Sequence, residues 1–489
     1  MKKKFTPEQI KRRHTPLCSL RAPEKLAKRE DGEGKQERYR TEFMRDRDRI
    51  LYCKAFRRLA GKTQVYLSGL DDHRRTRLTH TLEVSQIARS IAGALKLDGD
   101  LVEAIALGHD LGHTPFGHAG ERMLHEIMTP QPGHILGESC PLFQKDPGDP
   151  IAEELKPYLG FKHNLQSLKN AMHLEKNYGE YGLNLTNFAL YGMQAHSSPK
   201  YKPGRIRNHD QLGYYDAFIR RGCMLTEDQP AWSLECFVVA EADEIAQRHH
   251  DVEDAIRGKL ISRDEILKII QTNFREFLRA SDRKEIKSAQ SDDVEVFIAK
   301  MSGILVNMYV TRLVRGSLDN INTYINAKNI TQANFTGELR TADPAVMSKL
   351  IGYGTDEKGL RFCEKSKSFE GAITKRVLSS YDIQTADAKG QYIIRKLFQS
   401  YYATPQQLPN HSVYEFLMAF APKEYTRKSI FELSQKMGIG EVRSKFSDIV
   451  NDPRQFDDRA KLLLMRVICD HIAGMTDSYA QKTYEQLYG

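Results

Sequence analysis

The sequence predicts a mainly α-helical protein. Apolar residues recur every three to five positions over long stretches, as a helix with one buried face requires. No alternating polar and apolar run marks a strand series, and no internal repeat is present. Of 489 residues, 40% are hydrophobic and 28% charged, which supports a large core and excludes global disorder.

The chain opens with a charge-rich arm over residues 1–40, made basic by Lys2, Lys3, Lys4, Lys11, Arg12 and Arg13. Helical patterning starts near Arg45. Leu78, Leu82, Ile87, Ile91 and Leu95 form one stripe, and Leu101, Val102, Ile105 and Ala106 begin a second that ends near Gly112. Ten prolines and glycines between 129 and 160 then predict a long loop or insertion. Helical patterns return over 163–176, 185–196, 232–257 and 263–279, and later over 296–316, 387–403 and 459–486. One short hairpin fits the stretch 353–382.

Several classes fall away. No window approaches the ~18–20 uninterrupted apolar residues of a membrane span. The start, MKKKFTPEQIKRRH, has no apolar run behind it and does not read as a secretory leader. Seven scattered cysteines form no CxxC pair, which predicts reduced thiols in a cytoplasm. Lys and Arg number 73 against 64 Asp and Glu, a net charge of +9 that suits a polyanionic ligand.

Three His-Asp dipeptides occur: His109-Asp110, His209-Asp210 and His250-Asp251. Position selects the first. His109 lies on the stripe of Val102, Ile105 and Ala106, and His80 on that of Val84, Ile87 and Ile91, so two helices each send an imidazole inward. Asp243 falls on the face of Cys236, Val239 and Ala240. A carboxylate facing a core is costly unless a cation or hydrogen bonds satisfy it. Two histidines and two carboxylates make a nitrogen/oxygen metal site, suited to Mn, Fe, Mg or Co. Further on, His118 and Glu121 sit three residues apart at a helix start, where the carboxylate can raise the basicity of the imidazole.

His80, His109-Asp110 and Asp243 resemble the H…HD…D signature of the HD-domain phosphohydrolase superfamily. The blocks RDRDRILYCKAFRRLAGKTQV, RRTRLTHTLEVSQIAR, HDLGHTPFGHAGE, FKHNLQSLK, GLNLTNFALYG and DHIAGMTDSYA resemble, in order, the deoxyguanosinetriphosphate triphosphohydrolase family. The resemblance implies an HD-domain helical core over 41–275, with a helical C-terminal region over 276–489 that packs on it and enters oligomer contacts. It implies that His80, His109, Asp110 and Asp243 hold a divalent metal, Mn²⁺ or Mg²⁺ first and Fe, Co, Ni or Zn next. It implies catalysis by His118 and Glu121, phosphate contacts by Arg77 and His163 with Asn164 beside it, and a deoxyribose contact by Gln64. Many members carry tyrosine where this chain has Gln247, which bears on base and sugar preference.

The implied reaction cleaves a dNTP, dGTP first, to deoxynucleoside and tripolyphosphate. The implied partners are the dNTP, further copies of the chain in dimers or hexamers, and single-stranded DNA, with no membrane. Two other readings stand beside it: an HD phosphohydrolase of another nucleotide, and a nucleic-acid-binding protein with a regulatory HD site.

Overall fold

The computed structural model describes residues 20–30, 39–64, 75–131, 133–136, 158–196, 232–330 and 344–489. Most of the 129–160 insertion, residues 1–19 of the basic arm and the dipeptide His209-Asp210 lie outside the described residues. Among the described residues the secondary structure is helical with no strand, and one isolated bridge joins Thr63 to Thr76.

The first half contains α1 (Glu42–Leu51), α2 (Lys54–Arg58), α3 (Arg77–Leu95), α4 (Gly99–Gly108), α5 (Gly117–Ile127), α6 (His163–Lys169) and α7 (Asn187–Ala195). Then come α8 (Leu234–Arg257), α9 (Arg263–Phe274), α10 (Ala280–Ser288), α11 (Val294–Lys328) and α12 (Pro344–Met347). The last part holds α13 (Glu357–Leu378), α14 (Tyr381–Ala403), α15 (Asn410–Phe420), α16 (Arg427–Met437), α17 (Ile439–Asn451), α18 (Asp458–Ala473) and α19 (Asp477–Tyr488).

Local chemistry explains the helix starts. Thr76, Asp98 and Thr186 sit at the N-caps of α3, α4 and α7, and each accepts from a backbone N–H of the first turn. Asp293 does the same for α11 and Thr476 for α19. Helix α4 stops at Gly108, four residues before Gly112, and His109 takes its C-cap.

Two apolar cores form. The larger collects α1, α3, α4 and α6 to α9 together with α11 and α13. The smaller collects α5 and α14 to α19, through Phe116, Leu124, Ile127, Ile394, Phe398 and Ile468 among others. Residues 20–30 lie on the larger core: Leu20 and Ala22 are buried, and Ala22 donates its N–H to Glu235 at 3.0 Å.

Two local expectations are corrected. The stretch 353–382 carries no hairpin but the long helix α13, whose Phe362, Phe369, Ile373 and Val377 are buried on one face. Leu82 is 50% exposed and lies off the stripe of Val84, Ile87 and Ile91. Helix α11 is apolar enough over 18 residues to pass for a membrane span, although no uninterrupted apolar run marks it. Its Phe297, Met301, Leu305 and Leu313 instead enter the larger core.

The turn between the cores is tightly packed. A Cβ on Gly112 would lie 2.1 Å from the His163 carbonyl oxygen and 2.2 Å from the Ser167 nitrogen. Its own N–H donates to Ser167 Oγ at 2.8 Å. We predict that Gly112→Ala forces the backbone of α6 outward and lowers unfolding stability by about 3 kcal/mol. Urea unfolding measures this, and an unchanged midpoint would show that the two segments are not in such close contact.

Candidate active site

The inward stripes of α3, α4 and α8 bring His80, His109, Asp110 and Asp243 together. His80 Nε2 lies 3.0 Å from Asp243 Oδ1, and His109 Nε2 lies 3.4 Å from Asp110 Oδ1 and 4.0 Å from Asp243 Oδ1. His80, His109 and Asp110 are buried, whereas Asp243 is 27% exposed and forms the open side. His109 donates its Nδ1–H to the Ala106 carbonyl at 2.6 Å, which assigns the tautomer and leaves the Nε2 lone pair directed at the carboxylates. That donor set fits a divalent cation: two imidazole nitrogens and two carboxylates converge, and His80, His109 and Asp110 offer ligand atoms within 4.8 Å of one another.

Electrostatics agree with this fit. Burial alone would raise the Asp110 and Asp243 carboxyls. For Asp110, His109, His113 and Arg77 overcome burial and hold the group well below the usual range. For Asp243, the His80 hydrogen bond and the His109 ring do so. Both are therefore ionised at neutral pH. Arg77 Nη1 donates to Asp110 Oδ2 at 2.7 Å, while its Nε and Nη2 are buried with no hydrogen-bond partner.

A second cluster sits against the first. Glu121 on α5 is buried, and its Oε2 lies 2.9 Å from His163 Nδ1 and 3.5 Å from His118 Nδ1. Lys162 Nζ reaches its other oxygen at 3.0 Å. Burial would raise this carboxyl, but His163 and the hydrogen bonds of both histidines hold it well below its ordinary value. The sequence pairs His118 with Glu121 alone, whereas the structure places His163 nearer to that carboxylate. His118 is 68% exposed, at the mouth of the site.

Gln64 and Gln247 are neighbours. Gln64 Nε2 donates to Gln247 Oε1 at 3.4 Å, and Gln247 Nε2 donates to Asp251 Oδ1 at 2.6 Å. Asn164 is fully buried and donates to the Gln194 carbonyl at 2.9 Å, joining α6 to α7. Lys169, a charge without an assigned role in the sequence, pairs with Asp470.

Sequence reasoning missed three residues. His113 is stacked on His163 with ring centroids 3.8 Å apart, and its Nε2 lies 3.2 Å from Asp110 Oδ1. Its position three after Asp110 in HDLGH was the available signal. His196 packs edge-on to His109 at 5.0 Å, and no local motif marks it. Asp251, in the third His-Asp dipeptide, accepts from Gln247 and from Thr374. A further cluster, Glu83 with His249 and His250, is already joined internally by hydrogen bonds from both imidazoles to the carboxylate.

This constellation on a helical scaffold defines an HD-domain phosphohydrolase, and residues 77–189 match the HD domain family. Residues 448–486 match the phosphohydrolase-associated domain. Proteins described as deoxyguanosinetriphosphate triphosphohydrolase-like resemble the chain over nearly its whole length. The one from Rhizobium etli is 31% identical, covering 92% of this chain and 89% of its own. That from Rickettsia felis is 32% identical, covering 92% of each chain. That from Geobacter metallireducens is 30% identical over 92% of this chain and 89% of its own. The chain belongs to the deoxyguanosinetriphosphate triphosphohydrolase-like family.

Two predictions follow from this geometry. Asp110→Ala removes one candidate ligand and leaves the Arg77 guanidinium buried without its anion. Mn²⁺ binding measured by titration calorimetry is expected to fall at least about 100-fold, and unaltered binding would displace Asp110 from the ligand set.

The second concerns pH. Burial, aided by neighbouring histidines, pushes His196 down to about 4 and His471 down to about 3. Unfolded, each takes up its proton near ~6.5. Between those values the unfolded chain binds more protons, so stability falls as pH is lowered from about 6.5 towards 4. Each imidazole contributes about 1 kcal/mol per pH unit. Urea midpoints at stepped pH check this, and a flat profile across the window would contradict it.

Proposed function

We propose that the chain is a metal-dependent dNTP triphosphohydrolase with dGTP as leading substrate, releasing deoxynucleoside and tripolyphosphate. The observation that carries this reading is the juxtaposition of two groups. A four-residue metal set lies beside a buried carboxylate shared by two imidazoles, with two unpartnered guanidinium N–H groups next to it. The relatives' description as triphosphohydrolase-like supports the substrate class.

In this reading His80, His109, Asp110 and Asp243 hold Mn²⁺ or Mg²⁺. When bound, a divalent ion supplies Lewis-acid polarisation of a phosphoryl oxygen. Arg77, anchored by Asp110 through Nη1, turns its free Nη2 and Nε donors to the phosphates, where charge shifts as the leaving group departs. His163 lines the same side. Glu121 is ionised at neutral pH and orients His118, which holds the attacking water and accepts its proton. The water oxygen bonds to the α-phosphorus, the P–O5′ bond breaks, and the departing O5′ takes up a proton. Gln64 and Gln247 receive the sugar. Two amides in place of an amide and a phenol ring favour hydrogen bonding over flat packing at that end, which is the specific observation behind a second reading, another nucleotide as best substrate.

Exposed apolar side chains on the C-terminal helices, among them Tyr381, Phe431 and Met437, support a homo-oligomer built on dimers. Single-stranded DNA is assigned to the basic arm on charge alone, and a steep salt dependence would accompany such binding.

Ion-exchange analysis of products tests the reaction, using each dNTP and GTP with Mn²⁺ or Mg²⁺, then all four dNTPs together. Deoxynucleoside plus tripolyphosphate is expected; phosphate or pyrophosphate as product, or no turnover of the mixture by metal-loaded protein, would overturn the reading. His118→Ala should keep metal binding while losing about 100-fold or more in turnover. Near-normal turnover would remove His118 from catalysis.

A further inference from the structure

The two halves of the candidate site hang on different cores. His80, His109, Asp110 and Asp243 come from elements of the larger core, whereas His118 and Glu121 ride on α5, which belongs to the smaller one. Something must fix one half against the other. The last helix pair meets both halves at one point.

Asp477 is the first residue of α19, and it is buried to 9% exposure. Its Oδ2 accepts the Thr63 backbone N–H at 3.0 Å and the Thr63 hydroxyl at 2.6 Å. Its Oδ1 accepts the Phe116 N–H at 3.0 Å. Thr63 immediately precedes Gln64, and Phe116 stands two residues before His118. Phe116 has φ +60°, a left-handed conformation that costs a non-glycine residue roughly 1–2 kcal/mol unless its surroundings impose it. Here the surroundings do impose it: Asp477 holds its N–H, and its ring packs so closely on α14 that a Cβ on Gly390 would lie 2.7 Å from Phe116 Cβ.

Neighbouring contacts converge on the same junction. Lys62 is buried, and its ammonium donates both to the His113 carbonyl and, at 2.8 Å, to the Ala473 carbonyl at the end of α18. A Cβ on Gly61 would meet Thr476 Cγ2 at 2.7 Å. The 62–64 segment also carries Arg77, whose N–H donates to the Lys62 carbonyl at 2.8 Å, while Gln64 N–H donates to the Arg75 carbonyl at 3.2 Å.

We infer that Asp477 is a positioning residue: by holding Thr63 with one carboxylate oxygen and Phe116 with the other, it sets the substrate-contacting Gln64 and Arg77 segment at a fixed distance from the His118 turn. This inference rests on the roles proposed above for Gln64, Arg77 and His118. It gives the C-terminal helices a part in the reaction although they supply no reacting group.

Asp477→Asn is the informative variant, because its NH₂ cannot accept and its one remaining oxygen can serve only Thr63 or Phe116, so one arm of the clamp is lost while side-chain volume is kept. Thr63→Val, which removes only the hydroxyl donor, is the milder companion. The Thr63 and Phe116 amides are the groups that Asp477 accepts from, so hydrogen–deuterium exchange reads the clamp directly.

In Asp477→Asn, at least one of the peptides covering 62–64 and 115–117, the one facing the amide NH₂, is expected to exchange about tenfold faster or more, about the worth of one hydrogen bond. Peptides from α4 and α8 should be unchanged, and Mn²⁺ affinity should stay within about threefold. On the best dNTP, kcat should fall about tenfold or more with KM moving less than about threefold, the split expected of lost alignment rather than lost binding. Thr63→Val should lie between this variant and wild type in both readouts.

Unchanged exchange at those peptides, exchange raised evenly through α18 and α19, or an unaltered kcat beside raised local exchange would each overturn the inference. If wild-type protein cleaves no dNTP, the proposed reaction fails while the exchange and metal measurements still decide the clamp.

Discussion

The constraint on which the rest of the site depends is the burial of the Asp110 carboxylate. A desolvated anion in a helical core is tolerated only when charge and hydrogen bonds surround it. Arg77, at the first turn of α3, meets one oxygen, and His113 meets the other. Burial and the adjacent guanidinium push the His113 imidazole well below its usual range, so it stays neutral and can donate without adding charge. Two carboxylates, Asp110 and Asp243, face the single guanidinium of Arg77. That charge pattern suits a divalent cation. The same balance explains why Arg77 leaves two donors uncommitted: the ion pair with Asp110 uses one nitrogen and fixes the plane of the other two.

The second constraint is mechanical. The candidate metal residues and the candidate proton-handling residues belong to different cores, so their separation is set by packing between cores rather than by any one helix. Helix α5 faces α14 through Met123, Leu124 and Ile127, with Ile393, Ile394 and Leu397 opposite. Glu121 is then tied back by His163 and Lys162 from the start of α6, which otherwise packs with the larger core. One carboxylate therefore serves two purposes: it orients imidazoles and it stitches the seam. A carboxylate bearing both duties would be poorly served by free solvent, and its burial follows.

What the sequence revealed divides along the same line. His80 and His109 were legible because α3 and α4 show apolar stripes of helical period, and a polar residue on such a stripe announces itself. Asp243 was legible for the same reason on α8. His113 and His196 were not, since each takes its place through tertiary contact with a ring from another helix, and neither lies on a stripe that makes it anomalous. Asp477 reads locally as an ordinary acidic residue in the first turn of a helix; its partners are 414 and 361 positions away. The hairpin anticipated near 353–382 failed for a physical reason too. Thr374, Ile373 and Val377 favour strands in isolation, but Phe362, Phe369, Ile373 and Val377 align on one helical face and are buried there, and packing overrides propensity.

The Gln64–Gln247 end of the candidate site is held separately from the candidate metal residues. Gln247 lies one turn beyond Asp243 on α8, so proximity alone predicts that a change at 247 disturbs the candidate metal set. The contacts say otherwise. Asp243 is fixed by His80 and His109, from α3 and the end of α4, whereas Gln247 is held by Gln64 and Asp251. Asp251 is independently tied to Thr374 of α13 at 3.0 Å. The two neighbouring positions on one helix thus have no partner in common. Substitution at 247 leaves Asp251 anchored to Thr374 and Asp243 beside its imidazoles. Under the proposed function, such separation, one helix with two independent sets of partners, would let one hydrolytic centre accept different nucleotides.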